Sequence, residues 1–172
     1  MFQGTSISIT EEGKRHLEAA IGTEAFVESY VKQKVSEWVN TVERLSPIAH
    51  SQPHAAYDAF THGLMSKWTY LTRTMPNVGD LFSPLEEVIR RKFLTSLTGQ
   101  NAFDDVTREL LALPVHLGGL GITNPLANTT AHHDASKKIT APLTALIVEQ
   151  PHQRRVHSTP TLCITFQKVG YI

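Results

Sequence analysis

Nine histidines and sixteen carboxylates make metal chemistry the first possibility to weigh. His50 and His54 stand four apart, the spacing that sets two imidazoles on one helical face. Pro53 falls between them and interrupts the helix, so the pair does not converge. His54 and His62 are two helical turns apart, too far for one ion without another ligand. His132, His133 and Asp134 are consecutive, and helical neighbours point in different directions. The expectation is surface histidines and no metal ion or other cofactor in this chain.

Phe103-Asp104-Asp105 has the flavour of an aromatic-x-Asp-Asp pair, whose carboxylates hold two metal ions for phosphoryl transfer. The intervening residue is missing and the following residues read as helix. An N-cap role is therefore expected, because an acid there satisfies free backbone donors and the helix dipole. Glu11-Glu12 read as turn acids and Glu86-Glu87 as first-turn acids. Cys163 has no basic helix start beside it to lower its pKa, so it is not read as a nucleophile. No Ser nucleophile elbow and no phosphate-loop Lys motif occur. Gly118-Gly119-Leu120-Gly121 lacks dinucleotide-loop spacing. It is read as backbone that must turn or approach something closely.

Phosphate contact is the remaining chemistry. Arg90-Arg91-Lys92, Lys137-Lys138 and Arg154-Arg155 are local basic clusters, although such clusters are more often solvated helix faces. Tyr57, Phe60, Trp68 and Tyr70 alternate with Lys67 and Arg73, a mixture that can stack bases and hold phosphate. Phe60 and Trp68 are read as core, and Tyr57, Lys67, Tyr70 and Arg73 as more open.

The elements that must position these residues are mainly helical. Ile7 to Thr10 alternates like a short strand, Glu11-Glu12-Gly13 is a turn signal, and His16 to Ile21 is a second run ended by Gly22. From Thr23, a suitable N-cap, the residues Val27, Val31, Val35, Trp38, Val42, Leu45 and Ala49 recur at helical spacing up to Pro53. A second helix opens near Ser51 or Gln52, with Pro53 in its first turn and a stripe of Ala56, Phe60, Leu64, Trp68 and Leu71. A third is expected from an Ser83 N-cap, Pro84 at N1 and Glu86 closing a capping box. Its buried side is Leu85, Val88, Ile89, Phe93 and Leu97, and Gly99 stops it. A short helix from Asp104 or Asp105 ends before Pro114. After Asn124-Pro125 two more helices are expected, to about Lys137 and from Pro142 to Gln150. Residues 151–172 carry no helical stripe and are expected to be weakly ordered.

The 172 residues suffice for one full core. Sixteen basic and sixteen acidic side chains give zero formal charge. Residues 1–150 hold 13 basic and 16 acidic side chains, and Arg154, Arg155 and Lys168 fall in an acid-free end. That balance lacks the strongly basic signature of a free-standing nucleic-acid binder. A single cysteine excludes a disulfide framework. The absence of a long apolar run leads to the expectation of an intracellular, cytoplasmic or nuclear protein with no membrane partner.

Two segments carry a resemblance. Phe2-x-Gly4-Thr5-x-Ile7-x-Ile9-Thr10, with Gly13-Lys14-Arg15-His16-Leu17 and Ile21-Gly22, resembles the strand pair after the catalytic palm of retrotransposon reverse transcriptases. Leu113-Pro114 through Gly118-Gly119-Leu120-Gly121 is similar to a Leu-Pro-x-x-x-Gly-Gly-Leu-Gly motif downstream of their thumb. Pro53-His54-Ala55-Ala56-Tyr57 and Phe82-x-Pro84-Leu85-Glu86 are similar to the connecting helices. The resemblance spans roughly residues 2–150. The family carries glycine where this chain has Glu18, and residues 151–172 do not match it.

The resemblance implies residues 1–22 as the end of a palm, 23–150 as a helical thumb and connection, and 151–172 as a tail. It implies an RNA-directed DNA polymerase fragment whose catalytic aspartates, with their Mg, belong to an upstream palm, so this chain alone is not expected to polymerise. The partners would be that palm and an RNA or DNA template–primer. Lys14, Arg15, Lys32, Lys34, Arg90, Arg91 and Lys92 would be the phosphate contacts. Pro114, Gly118, Gly119 and Gly121 would be the structural motif. The alternative is a helical protein-interaction module using the 27–49 stripe. An independent enzyme ranks last, since no nucleophile, base and oxyanion arrangement emerges.

Overall fold

Thr23 caps the longest helix as its side chain requires. Its backbone is extended and its hydroxyl oxygen accepts from the Phe26 N–H, with Glu24 in the first turn. The computed structural model describes residues 10–148. Within them a mainly α body follows a short antiparallel hairpin, β1 (Gly13–His16) and β2 (Ala19–Gly22). Residues 7–9, Cys163 and the expected tail at 151–172 lie outside the described residues. The chain divides into two compact units, Met1–Ile139 and Thr140–Ile172.

The first helix, α1, is Glu24–Ser51. Val31, Val35, Trp38, Val42 and Ala49 are buried, and Val27 and Leu45 are half-buried. The expected stripe is thus spent inside the chain's own core, which removes it as a surface for a partner helix. One residue, Gln52, links α1 to a continuous helical run made of α2 (Pro53–Asp58), a π-helical segment (Ala59–Leu64) and α3 (Met65–Thr74). After a 3-10 turn (Gly79–Phe82) a second composite run follows: α4 (Ser83–Val88), a π segment (Ile89–Phe93) and α5 (Leu94–Thr98). Then come α6 (Asp105–Ala112), a 3-10 turn (Val115–Leu117) and α7 (Pro125–Val148).

The two π segments have a common cause in the sequence. Ala56, Phe60, Leu64 and Trp68 recur strictly every four residues, and so do Leu85, Ile89, Phe93 and Leu97. On a helix of about 3.6 residues per turn, each step of four overshoots by about 40°. Three such steps would rotate the stripe off the core. A wider turn with i→i+5 bonding absorbs the overshoot. Ala56, Phe60, Leu64 and Trp68 are all buried as a result, and so are Leu85, Ile89 and Phe93. The α1 stripe mixes threes and fours and stays α-helical throughout. Phe60 and Phe93, one from each π segment, stack at 4.3 Å and 15°. Trp68 meets Phe60 and Trp38 edge to face.

Three expectations are corrected. The hairpin turn is Leu17-Glu18, not Glu11-Glu12-Gly13, and β1 begins at Gly13. Both turn residues have positive φ, 47° and 63°. That is the conformation a two-residue loop needs to match strand twist. Glu12 instead accepts the Thr23 N–H through its carbonyl, at the mouth of the hairpin. Ser83 is not an N-cap: its backbone is already αR, because the 3-10 turn runs directly into α4. Finally, Pro142 does not separate two helices but sits within α7. Proline holds φ near the helical value and removes a single N–H, so the helix can continue through it.

Other expectations hold. Gly99 ends α5 at φ 73°. Asp104 is the N-cap of α6 and accepts from the Thr107 N–H at 3.0 Å. Hydrogen bonds from the Thr107 side chain and backbone hold its carboxyl below the ordinary range. Asn124 caps α7 by accepting from the Leu126 and Ala127 N–H groups.

The strained turn yields one prediction. Glu18→Gly removes a left-handed penalty of about 1–2 kcal/mol and adds a glycine cost of about 0.5–1 kcal/mol. The exposed Arg15–Glu18 ion pair that is lost contributes little. A net gain of about 0.5 kcal/mol in urea unfolding is expected, and a loss would refute the strain argument.

Candidate nucleic-acid interface

The seven basic residues singled out by the sequence do not form one free patch. Arg15 pairs with Glu18 across the turn, Lys32 with Glu28 at 2.6 Å and Lys34 with Glu37 at 2.9 Å. Arg90 donates to the Phe103 carbonyl and to Asp105 at 2.7 Å. Arg91 pairs with Glu87 at 3.3 Å and Lys92 with Glu43 at 2.8 Å. Lys14 stands on β1 opposite Ile21. Arg90 and Arg91 line one groove, with Glu86 and Glu87; Lys34 lines another, with Glu18, Glu37, Lys67 and Tyr70.

The hairpin is fastened to the helices by its turn. The Tyr30 hydroxyl on α1 donates to the Glu18 carbonyl at 2.9 Å, and the Tyr70 hydroxyl on α3 donates to the Leu17 carbonyl at 2.6 Å. Two carbonyls of a two-residue loop thus have partners from two helices. Ala20 is buried, while Leu17 and Ile21 remain exposed. Tyr57 works similarly at the other end, donating to the Leu120 carbonyl at 2.6 Å. Phe60 and Trp68 are core, as expected, and the tyrosines use their hydroxyls to position loops.

The glycine-rich segment is a wound turn fastened to the end of α6. Gly118 N–H donates to the Val115 carbonyl, Gly119 to Pro114, Leu120 to Leu111 and Gly121 to Leu113. Gly118 and Gly121 have φ of 87° and 67°. A Cβ on Gly119 would lie 2.1 Å from the Leu113 carbonyl oxygen. Each of these three glycines is therefore needed for backbone geometry.

The residue pair that sequence reasoning missed is Glu86 with Arg108. Arg108 donates through Nε to Glu86 Oε1 at 2.6 Å and through Nη2 to Oε2 at 2.8 Å. Its Nη1 donates to the Ile122 carbonyl at 2.8 Å. Both side chains are buried, with residue exposures of 3% for Arg108 and 8% for Glu86. Glu86 is thus not a capping-box acid but a clamp that ties α4 to α6 and to the exit of the glycine turn. A signal existed: Glu86 precedes Ile89 and Phe93 by three and seven, which sets it on the same side of the helix as those buried residues.

His132 on α7 lies 3.0 Å from the Thr72 hydroxyl, linking α7 to α3. Burial, then repulsion from Arg73, pushes its pKa below the ordinary value of 6.5. A depressed imidazole pKa means the folded chain binds fewer protons than the unfolded chain. Stability is therefore complete above about pH 6.5 and falls as pH drops through the lower folded value. Urea midpoints compared at pH 7.5 and pH 5 should fall less in His132→Gln than in the parent. An equal fall in both would remove His132 as a source.

Among the described residues no group of three or more His, Cys, Asp or Glu could hold a metal ion. No described helix is long and apolar enough to cross a membrane. Comparison with protein-family models, curated proteins and solved structures finds no match.

Proposed function

We propose that this chain is the thumb-like part of a retroelement reverse transcriptase, contacting template–primer without supplying the catalytic carboxylates. The observation that carries the reading is the hairpin turn held by Tyr30 and Tyr70 against α1 and α3. A strand pair rigidly joined to a helical body is what a palm end leading into a thumb requires. The wound turn at Pro114 to Gly121, where the resembling motif lies, adds support. Polymerisation would need an upstream palm with its Mg-binding aspartates, and that palm is a proposed partner. A filter-binding titration of the full chain with a DNA template–primer across salt tests the reading. Measurable affinity at low salt with a negative salt slope is expected. No affinity at 50 mM salt would overturn it.

A second reading, a helical protein-interaction module, is favoured by one specific observation. Val106 and Leu110 on α6 and Leu113 at its C-cap are exposed together with Val115 and Leu117. Sedimentation of the chain across concentration, with and without Leu110→Ser, would reveal self-association through that face.

A further inference from the structure

The cations left without a carboxylate point to a different surface from the basic clusters in the sequence. Arg44 on α1 and Lys67 on α3 are exposed, and neither side chain has a hydrogen bond or ion pair among the described residues. Arg73 and Lys138 share that condition but line neither groove described next. One groove of about 450 Å³ is lined by Lys34, Thr41 and Lys67. A second of about 440 Å³ is lined by Thr41, Arg44, Gly63 and Lys67. Because Thr41 and Lys67 line both, the two run into one another between α1 and the helical run opposite. The acids of this trough, Glu18 and Glu37, are already paired with Arg15 and Lys34. Arg44 and Lys67 are therefore its surplus charge.

The far wall is the π segment Ala59–Leu64, a helical defect of the kind that recurs at functional sites. Gly63 within it has no heavy atom within 4 Å of where a Cβ would stand, so a ligand can approach the helix backbone there. We propose that Arg44 and Lys67 are the principal phosphate contacts of this chain, with a phosphodiester strand lying along the trough past Thr41 and Gly63. The proposal rests on the template–primer reading and names its contact surface. The physical reason is competition. A guanidinium or ammonium already holding a carboxylate must release it to take phosphate, whereas Arg44 and Lys67 need shed only water and counterions.

The test is filter binding of the full chain to a labelled DNA template–primer with a recessed 3′ end, between 50 and 300 mM salt. Arg44→Gln/Lys67→Gln should lower the slope of log affinity against log salt by about 1.8, at 0.9 per phosphate contact. Arg90→Gln/Arg91→Gln/Lys92→Gln should leave it unchanged. Gly63→Glu, which sets a carboxylate in open space, should weaken binding independently of the two cations and keeps the test sound if the double variant fails to fold. Parent binding with an unchanged slope in the double variant and undiminished affinity in Gly63→Glu would overturn this inference alone. Absence of parent binding at 50 mM salt would overturn the template–primer reading, and this inference with it.

Discussion

Arg108→Ala is expected to destabilise the fold by about 3–5 kcal/mol, because it breaks a buried ion pair. The reason is what remains behind. Glu86 would be left in a site where its residue is 8% exposed, with both carboxylate oxygens stripped of their donors. The Ile122 carbonyl would lose its donor as well. Glu86→Ala should cost a similar amount for the mirror reason, an unpaired buried guanidinium. The joint change Glu86→Leu/Arg108→Met should cost less than either single change, because apolar groups of similar volume leave no buried charge. Urea midpoints of the parent, the two alanine variants and Glu86→Ala/Arg108→Ala make a double-mutant cycle, with Glu86→Leu/Arg108→Met as the apolar comparison. Additive losses would show that the pair does not act as a unit.

Gly119→Ala is expected to cost about 3 kcal/mol, at the upper end for overpacking. The added Cβ would meet the Leu113 carbonyl oxygen at 2.1 Å and the Leu110 carbonyl oxygen at 2.6 Å. Both are backbone atoms at the end of α6, so no side-chain rotation relieves the clash. Gly118→Ala is the internal comparison. Its Cβ meets nothing within 4 Å, and the penalty is only the left-handed φ of 87°, about 1–2 kcal/mol. Equal losses at the two positions would mean that close approach is not what Gly119 provides. Because Leu120 in the same turn accepts from Tyr57, Gly119→Ala should also loosen the start of the α2 run. Hydrogen exchange of the amides in α2 would register that loosening.

The legible part of this fold is the part governed by local rules. Thr23, Asp104 and Asn124 cap helices because their own oxygens reach their own first-turn amides. Gly99 stops a helix because the left-handed conformation is open to it. Apolar spacing gave the buried faces, and the fours in two of the stripes even encode where the helices widen. The candidate site was less legible. Pairing of Lys92 with Glu43, 49 positions away in sequence, or of Arg90 with Asp105 depends on which helices become neighbours. A basic run on paper therefore became a neutralised surface, and Arg44 and Lys67, isolated in sequence, became the uncompensated charge of the trough between α1 and the run opposite.

By itself the sequence determined the helix starts at Thr23, Asp104 and Asn124, the core stripes and the need for glycine around residues 118–121, since each follows from bonding within a few residues. The tertiary structure decided the rest. It put the hairpin turn at Leu17-Glu18, because Tyr30 and Tyr70 on two separate helices supply donors that make an unfavourable backbone conformation worth holding. It made the first-turn acid Glu86 half of a buried clamp, because Arg108 arrives from another helix. Local propensity fixes where a chain can bend. Only the partner brought from a distance fixes which charges are satisfied and which remain free to bind something else.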